Sequence, residues 1–204
     1  MTLDEELRVF YRRSGFGEVI GARPYTVRVY TGCMLVPLPN IETRRRFLKY
    51  HDLHHLVTGY SVGRIGEGEV SAWELGTGSA FVSPVLGLMN LIALSTGLVL
   101  EPRRMWHAFL RGTASRNLYP AAQRARVDSG CWVDLPALRA ELLDIGQARV
   151  SPWRAAEFAV YSTAALVVHA VIAVPAVIAR FFSDILLGYS VFEAVKPRRR
   201  VDLY

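Results

Sequence analysis

The residues with the clearest chemical potential form one short run, His51-Asp52-Leu53-His54-His55, which is followed after eleven further residues by Glu67. The chain has five histidines, and three of them are concentrated here. His51 and His55 are four residues apart, and on a helix this spacing puts both imidazoles on one face. Two imidazoles with carboxylates beside them are suitable ligands for a divalent metal. The run therefore predicts a metal site, against the alternative of a group of surface histidines.

Three neighbouring side chains have roles that spacing alone leaves open. Asp52 lies beside the histidine face, where it either binds the metal or orients an imidazole by hydrogen bonding. His54 points about 100° away from His55 on a helix, which predicts a supporting or surface position rather than a ligand. Glu74 is a candidate proton acceptor, with a solvated surface carboxylate as the alternative. We take His54 and Glu74 as the candidate catalytic residues, and zinc as the metal, with iron or manganese as alternatives.

A second motif overlaps the first. His51-x-x-His54-His55 has the form of a histidine box from membrane di-iron desaturases and hydroxylases. Those enzymes use several such boxes, whereas this chain has only His107 and His169 outside the run, and both are isolated. The histidine count therefore excludes a complete di-iron site of that type.

Two consecutive helices are predicted to position these residues. The first covers Ile41–Thr58, with Asn40 as its N-cap. The presumed ligands lie opposite the apolar stripe of this helix, so they must face solvent or a second packed element; the stripe is Leu53, Leu56, Val57 and Tyr60. The second helix begins near Ile65 after a short connection, which favours an antiparallel neighbour. One face of it, which can turn back toward the histidines, carries Glu67, Ser71, Glu74 and Gly78.

The remaining pattern predicts an all-α fold: a helical bundle with a short extended or strand-like segment at Tyr25–Pro39 and a long C-terminal hydrophobic helix. Further helices are predicted at Leu3–Arg13, Pro102–Asn117 and Leu135–Ile145, the last with Asp134 as its N-cap. The string Tyr119–Cys131 predicts a loop. A boundary near 148–151 divides a helical metal- and lipid-binding domain, residues 1–150, from a hydrophobic extension, residues 151–204, whose helix opens at Ser151-Pro152.

Two long segments carry no charge. Gly76–Leu100 is broken by glycine and proline and predicts a buried helix lining a pocket, with a membrane span as the alternative. Phe158–Ala179 has aromatic residues near both ends, and predicts a membrane span or an embedded hairpin, against a core helix or one buried in an oligomer interface. The basic tail Lys196–Arg200 would then stay on the cytoplasmic side.

Charge and composition favour a membrane surface over nucleic acid as the partner. The net charge is +6, almost entirely from arginine, and the sequence contains no nucleic-acid-binding module. Aromatic residues do not alternate with the arginines as a base-stacking platform requires. A basic chain with long apolar stretches suits an anionic membrane face. Met1–Arg13 is charged and amphipathic and predicts no signal peptide, and the two distant cysteines favour a reduced compartment.

The pattern His51-Asp52-x-x-His55, with Glu67 at its spacing, resembles the zinc-ligand motif of the coenzyme Q biosynthesis protein four family, in a bacterial branch. The resemblance extends over residues 41–145. It includes the segment after the acidic ligand, with Gly66, Trp73, Glu74 and Thr77-Gly78, a downstream helix at Arg103–Tyr119, and a C-terminal region at Trp132–Ile145. The parts before Ile41 and after Pro152 depart from the family pattern.

This resemblance implies an all-helical protein that binds a metal through His51, Asp52, His55 and Glu67. It also implies a prenylated quinone-type lipid as ligand, a place in ubiquinone biosynthesis at the cytoplasmic face of the bacterial inner membrane, and other quinone-biosynthetic enzymes as partners. A homo-oligomer is expected as well.

Three functions stay open on the sequence. One is a lyase-type oxidative decarboxylation at ring carbon one of a prenylated aromatic substrate. The second is a non-catalytic lipid-binding scaffold that organises quinone-biosynthetic enzymes around a structural metal. The third is a metal-dependent lipid hydrolase. A catalytic site keeps an open coordination position and a structural site does not, so coordination distinguishes these functions.

Overall fold

The computed structural model describes residues 1–14, 25–31, 34–143 and 145–187. Within these residues the fold is all-α, as predicted, with one short β-hairpin and a long apolar C-terminal helix. In chain order the elements are α1 (Leu3–Arg13), β1 (Thr26–Thr31), β2 (Met34–Pro39), α2 (Glu42–Thr58), α3 (Arg64–Gly76), α4 (Ser79–Val82), α5 (Pro84–Leu100), α6 (Pro102–Thr113), α7 (Ala121–Asp128), α8 (Leu135–Leu142) and α9 (Pro152–Leu187).

The predicted strand-like segment is a hairpin of two antiparallel strands. Thr26 of β1 pairs with Pro39 of β2, and Thr31 pairs with Met34. Gly32 and Cys33, between the strands, lie outside the described residues, as does the basic tail Lys196–Arg200. The prediction that this tail marks a cytoplasmic side therefore stays a prediction.

Helices α2 and α3 form the pair that carries the site. Helix α2 ends at Thr58 and is followed by its C-cap residue, Gly59. The φ of Gly59, 80°, lies in the left-handed region that glycine adopts without strain. The chain then turns into α3 within a few residues. The predicted N-cap of α2 was wrong: Ile41 holds that position without a side-chain hydrogen bond, and the Asn40 amide oxygen instead accepts from Arg44 at 3.3 Å.

Four other predicted boundaries need correction. The Gly76–Leu100 segment is not one helix, because Gly78, with φ of 85°, interrupts the helix after α3, and Ser83 caps α5 at Pro84. The predicted loop Tyr119–Cys131 contains α7. Helix α6 ends at Thr113 rather than Asn117, and α8 ends at Leu142 rather than Ile145. Two predicted caps are confirmed, since Asp134 accepts from the backbone of Ala137 and Ser151 accepts from that of Arg154.

The buried side chains form two adjoining clusters. The first joins α1 and α2 to the chain from Leu118 to Leu142, and includes Leu7, Phe47, Leu53, Tyr119 and Leu138. The second joins α3, α5, α6 and α9, and includes Trp73, Leu94, Met105, Phe109 and Ala165. Helices α2 and α3 thus each have one face in a core, which fixes the direction of their remaining faces.

Glycines let α3 lie close against α6 and α5. A Cβ atom added to Gly112 of α6 would overlap the Trp73 carbonyl of α3, and one added to Gly76 would overlap the Phe109 carbonyl. A Cβ at Gly97 would overlap the sulfur of Met105. The space beside these glycines is therefore filled by the protein's own atoms.

This close packing leads to a first prediction. Gly112→Ala should destabilise the protein by about 1–3 kcal/mol, because the α6 backbone must move away from α3 to admit the methyl group. Urea unfolding followed by circular dichroism measures this change. Gly146→Ala is the matched control, since a Cβ there meets nothing within 4 Å. Equal stability of the two variants would contradict the packing argument.

Helix α9 is the long apolar C-terminal helix that the sequence predicts. Its segment Pro152–Ala179 is long and apolar enough to cross a membrane by length and composition, and only 11% of its most apolar window is buried inside the protein. A helix of this kind can associate with a membrane. Its inner face packs on α5 and α6.

Candidate metal centre

Three side chains converge between α2 and α3. One ligand atom from each of His51, His55 and Glu67 lies within 4.8 Å of the others. The His51 Nε2 atom is 3.3 Å from Glu67 Oε2, and the His55 Nε2 atom is 3.5 Å from Glu67 Oε1. The predicted arrangement is therefore present: the two imidazoles occupy one face of α2, and the short connection returns Glu67 of α3 to that face.

The other nitrogen of each ring fixes its tautomer. His51 Nδ1 donates to Glu74 Oε1 at 2.9 Å, and His55 Nδ1 donates to the backbone carbonyl of Tyr60 at 3.0 Å. In a neutral imidazole the second nitrogen then carries a lone pair. Both Nε2 atoms thus face the Glu67 carboxylate, and the buried His55 Nε2 has no hydrogen-bond partner among the described residues. Burial alone would lower the pKa of His51, but Glu74 and Glu67 outweigh it and raise the pKa well above its usual range. His51 Nε2 therefore carries a proton that it donates to Glu67, and a metal bound here would take the place of that proton.

The spacing of these atoms suits a zinc-sized ion. Bond lengths of about 2.0–2.1 Å to nitrogen and oxygen make the edge of a coordination tetrahedron about 3.3–3.4 Å. The separations from His51 Nε2 to Glu67 Oε2 and from His55 Nε2 to Glu67 Oε1, 3.3 and 3.5 Å, are close to this edge, but they involve different oxygens of Glu67. One ligand atom from each residue lies within 4.8 Å of the others, so a bound ion would draw the three together. Two neutral imidazoles and one carboxylate are also a donor set that zinc, iron and manganese accept. The residues therefore fit a single divalent metal.

Glu74 of α3 lies behind the two histidines and is fully buried. Its Oε1 atom accepts three hydrogen bonds, from His51 Nδ1 at 2.9 Å, His54 Nδ1 at 2.7 Å and the Tyr119 hydroxyl at 2.6 Å. Its Oε2 atom has no hydrogen-bond partner among the described residues. Burial alone would raise the pKa of Glu74, but His51 and His54 outweigh it and the pKa is lowered. Glu74 is therefore an ionised carboxylate that orients His51.

His54 is also fully buried, and both of its ring nitrogens are engaged. The Leu118 backbone N–H donates to His54 Nε2 at 2.9 Å, so Nδ1 carries the proton that is donated to Glu74. Burial lowers the pKa of His54, which agrees with this neutral tautomer. His54 thus supports Glu74 and lies behind the presumed ligands, as the sequence-based alternative of a supporting position expects.

Asp52 lies outside the three-residue cluster. Its Oδ2 atom accepts from the Tyr11 hydroxyl of α1 at 3.1 Å, and the side chain is buried. Burial raises the pKa of Asp52 to about 6, although His51 and His55 act in the opposite direction. The structure therefore joins Asp52 to α1, and its predicted role as a ligand stays a prediction.

The site is closed on one side and open on the other. Phe10 of α1 stacks on the His55 ring with centroids 6.1 Å apart, and His55 is 2% exposed. The Glu67 side chain, in contrast, is 36% exposed. Burial would raise the pKa of Glu67, but the two neighbouring imidazoles lower it, so the group is ionised. An external ligand can therefore reach this site past Glu67.

Several residues that support the site were not predicted from the sequence. Tyr11, Tyr119, the Tyr60 carbonyl and the Leu118 N–H each hold a site side chain in place. Tyr119 and Leu118 lie beyond α6, more than 60 residues from His54, and no spacing rule connects them to the histidine run. A buried tyrosine hydroxyl needs a partner, but the sequence does not say which one.

Comparisons of the chain with protein-family models, with curated proteins and with solved structures give no match.

Proposed function

We propose that this protein binds one divalent metal, zinc first, through His51, His55 and Glu67. The observation that carries the proposal is the convergence of two Nε2 atoms on one carboxylate at 3.3 and 3.5 Å, while the Nδ1 atom of each ring is engaged elsewhere. A divalent metal that displaces the proton of His51 would find two imidazole nitrogens and a carboxylate already grouped. Asp52 is the candidate for a further ligand, after its carboxylate leaves Tyr11.

The proposed site is of the open type. Three protein ligands leave a position for water or substrate, and the exposure of Glu67 gives access to it. When bound, a divalent metal in such a site polarises or deprotonates an oxygen substituent of a substrate. The chain's own residues hold the ion, and Glu74 keeps the His51 lone pair directed at it. Phe10 excludes water from the His55 side.

The proposed ligand is a prenylated quinone-type lipid, and the proposed reaction is oxidative decarboxylation at ring carbon one in ubiquinone biosynthesis. In this reaction the ring carboxylate leaves as carbon dioxide, and an external two-electron oxidant such as molecular oxygen supplies the oxygen of the hydroxyl that replaces it. Two features support this function. One is the resemblance of the His51-to-Glu67 motif to the coenzyme Q biosynthesis protein four family. The other is the apolar surface of α9, which suits a protein that meets its substrate in a membrane. The cytoplasmic face of the bacterial inner membrane is the proposed location.

Metal analysis combined with lipid extraction tests this proposal. The purified full-length protein should contain zinc, iron or manganese by plasma mass spectrometry, and its lipid extract should contain a prenylated aromatic compound. Glu67→Gln should lose most of the metal and the conversion of a prenylated ring carboxylate, with little change in helical content by circular dichroism. His107→Ala, at an exposed position of α6, is the matched control and should keep both properties.

Two results would redirect the proposal. If the Glu67→Gln variant unfolds, the metal is structural, and this result would favour the scaffold function. If the protein contains metal but neither contains prenylated lipid nor converts the substrate, the metal site would be supported and the quinone-type ligand would be contradicted.

A further inference from the structure

Helix α9 is held along the side of the domain by one narrow stripe. Phe158 packs on Trp106 and Phe109 of α6, with ring centroids 5.2 Å apart in both cases. About two turns further along α9, Ala165 is fully buried. One turn beyond it, His169 Nδ1 donates to Ser95 Oγ of α5 at 3.2 Å. The Ser95 hydroxyl itself donates to the Ile92 carbonyl, so it is free to accept. Phe158, Ala165 and His169 are seven and four residues apart, and this spacing puts them on one face of the helix.

The opposite face of α9 is apolar and exposed from end to end. At about 100° per residue, eight side chains lie on the side away from Phe158 and His169. Each of them is more than half exposed: Trp153, Val160, Val167, Val171, Val174, Ile178, Phe181 and Ile185. At 1.5 Å per residue this outer stripe is about 48 Å long. Exposed apolar surface of this extent marks an interaction site.

Helices α4 and α5 add a second exposed apolar surface. Phe81 of α4 is 85% exposed, and Leu88 of α5 is 47% exposed. Leu88 lies two turns before Ser95 and on the same face of α5, and Ser95 contacts α9. Neither α4 nor α5 carries a charged residue. Because α5 packs on α9, this second apolar surface belongs to the part of the domain on which α9 is held.

We propose that α9 stays docked on the domain and lies along one leaflet of a bilayer, with its outer stripe and the exposed side chains of α4 and α5 in the acyl layer. The protein is then monotopic rather than membrane-spanning. This proposal rests on the membrane association in the proposed function, but not on the metal or on the identity of the lipid.

The docking itself argues against a crossing. From Phe158 to the buried Ala176, α9 is held beside the domain over about 27 Å, nearly the thickness of a hydrocarbon core. A crossing of this segment would carry α6 into the bilayer with it. Helix α6 exposes Arg103 and His107, and charged or ionisable groups inside a membrane are costly. A helix lying in the plane of the leaflet keeps α6 in water.

The aromatic residues favour a bilayer over a second copy of the chain. Trp153 and Phe181 both lie on the outer stripe, and both are exposed. Trp and Phe on the apolar face are typical of helices that lie in the plane of the membrane interface. The exposed side chains also belong to two separate parts of the chain, α4–α5 and α9, which a fluid leaflet covers without matching their shape.

Cysteine labelling separates a monotopic protein from a spanning one. Single cysteines are placed by Val150→Cys and Tyr204→Cys in the full-length Cys33→Ser/Cys131→Ser background, on either side of α9. In inverted inner-membrane vesicles an impermeant maleimide should label both positions to the same extent before and after detergent. Labelling of one position only after detergent would overturn the proposal in favour of a crossing.

Depth measurements test the contact surface itself. A fluorophore on Val171→Cys or Phe81→Cys should be quenched by brominated lipids in vesicles of phosphatidylethanolamine and phosphatidylglycerol. The same fluorophore on Cys131, an exposed cysteine of the unaltered chain, should not be quenched. Quenching at Val171 but not at Phe81 would show that α4 is not part of the membrane-contacting surface. If the protein does not bind vesicles, and instead forms a dimer in which the cysteine at position 171 is protected from labelling, a second copy of the chain and not a leaflet covers the outer stripe.

A charge placed at Phe81 gives the quantitative test. Phe81→Asp should lower the vesicle-bound fraction several-fold, because a carboxylate resists transfer into the acyl layer. Val133→Asp, at another exposed apolar position in the loop before α8, should leave the bound fraction unchanged. Neither measurement uses metal or substrate, so a failed prediction here does not bear on the metal centre, and a failed metal test does not bear on this surface.

Discussion

Replacing both His51 and His55 with alanine should remove the metal from the protein. The two rings supply both nitrogen ligands of the proposed centre, and Glu67 with water cannot replace them. The loss of a hydrogen-bond partner behind a ligand already costs about 10–100-fold in metal affinity, so losing two ligands should cost at least about 100-fold. Plasma mass spectrometry of the purified variant and chelator competition for zinc give the measurement.

The controls for this variant separate ligand loss from histidine loss in general. His107→Ala removes an exposed imidazole of α6 and should retain the metal of the unaltered protein. Each single variant, His51→Ala or His55→Ala, should weaken binding less than the double variant does. Full metal content in the double variant, with the helical signal unchanged, would show that the metal lies elsewhere or that the histidines have another purpose.

The parts of the site that the sequence predicted correctly depend on local geometry. The four-residue spacing of His51 and His55 fixes their common face through the helix period, and a short connection forces Glu67 back toward them. The long apolar C-terminal helix was predicted from its charge-free composition and its Ser151-Pro152 start, and the predicted bounds of α1, Leu3–Arg13, agree with the structure. Regular elements of this kind are set by nearest neighbours along the chain.

The parts that the sequence did not predict depend on competition or on distance. Asn40 is a good N-cap by type, but its side chain is held by Arg44 and cannot cap α2. Gly78 and the Ser83-Pro84 step divide the charge-free segment into separate helices, although its composition looks continuous. Glu74 has its role because Tyr119, far along the chain, packs beside it. Composition and periodicity contain no information about such a partner.

The second large effect that we expect is a loss of zinc affinity when Glu74 is replaced. Glu74→Gln preserves the shape of the side chain and removes its charge. The amide oxygen can keep the three hydrogen bonds of Oε1, and the amide nitrogen takes the place of Oε2, which has no partner among the described residues. We expect zinc affinity to fall by about 10–100-fold, because His51 becomes a poorer donor without the carboxylate behind it. Chelator competition measures the affinity, and circular dichroism should show unchanged helical content.

Glu69→Gln is the matched control, because Glu69 is also a buried acid of α3. It pairs with Arg104 through two hydrogen bonds of 2.8 Å and lies away from the histidines. This variant should keep the zinc affinity of the unaltered protein. If zinc affinity falls equally in Glu69→Gln and Glu74→Gln, the affinity depends on the acidic residues of α3 in general and not on the His51–Glu74 hydrogen bond.

Glu74→Ala should behave differently from Glu74→Gln, and the difference identifies the role of the carboxylate. Alanine leaves the N–H of His54 and the hydroxyl of Tyr119 buried without an acceptor, and each such group costs about 1–3 kcal/mol. Urea unfolding should therefore show a large loss of stability in Glu74→Ala. Nitrogen NMR should also show that His51 has lost its preference for the Nδ1–H tautomer. If the tautomer persists in Glu74→Ala, another group orients His51, and the low affinity expected of Glu74→Gln would have a different cause.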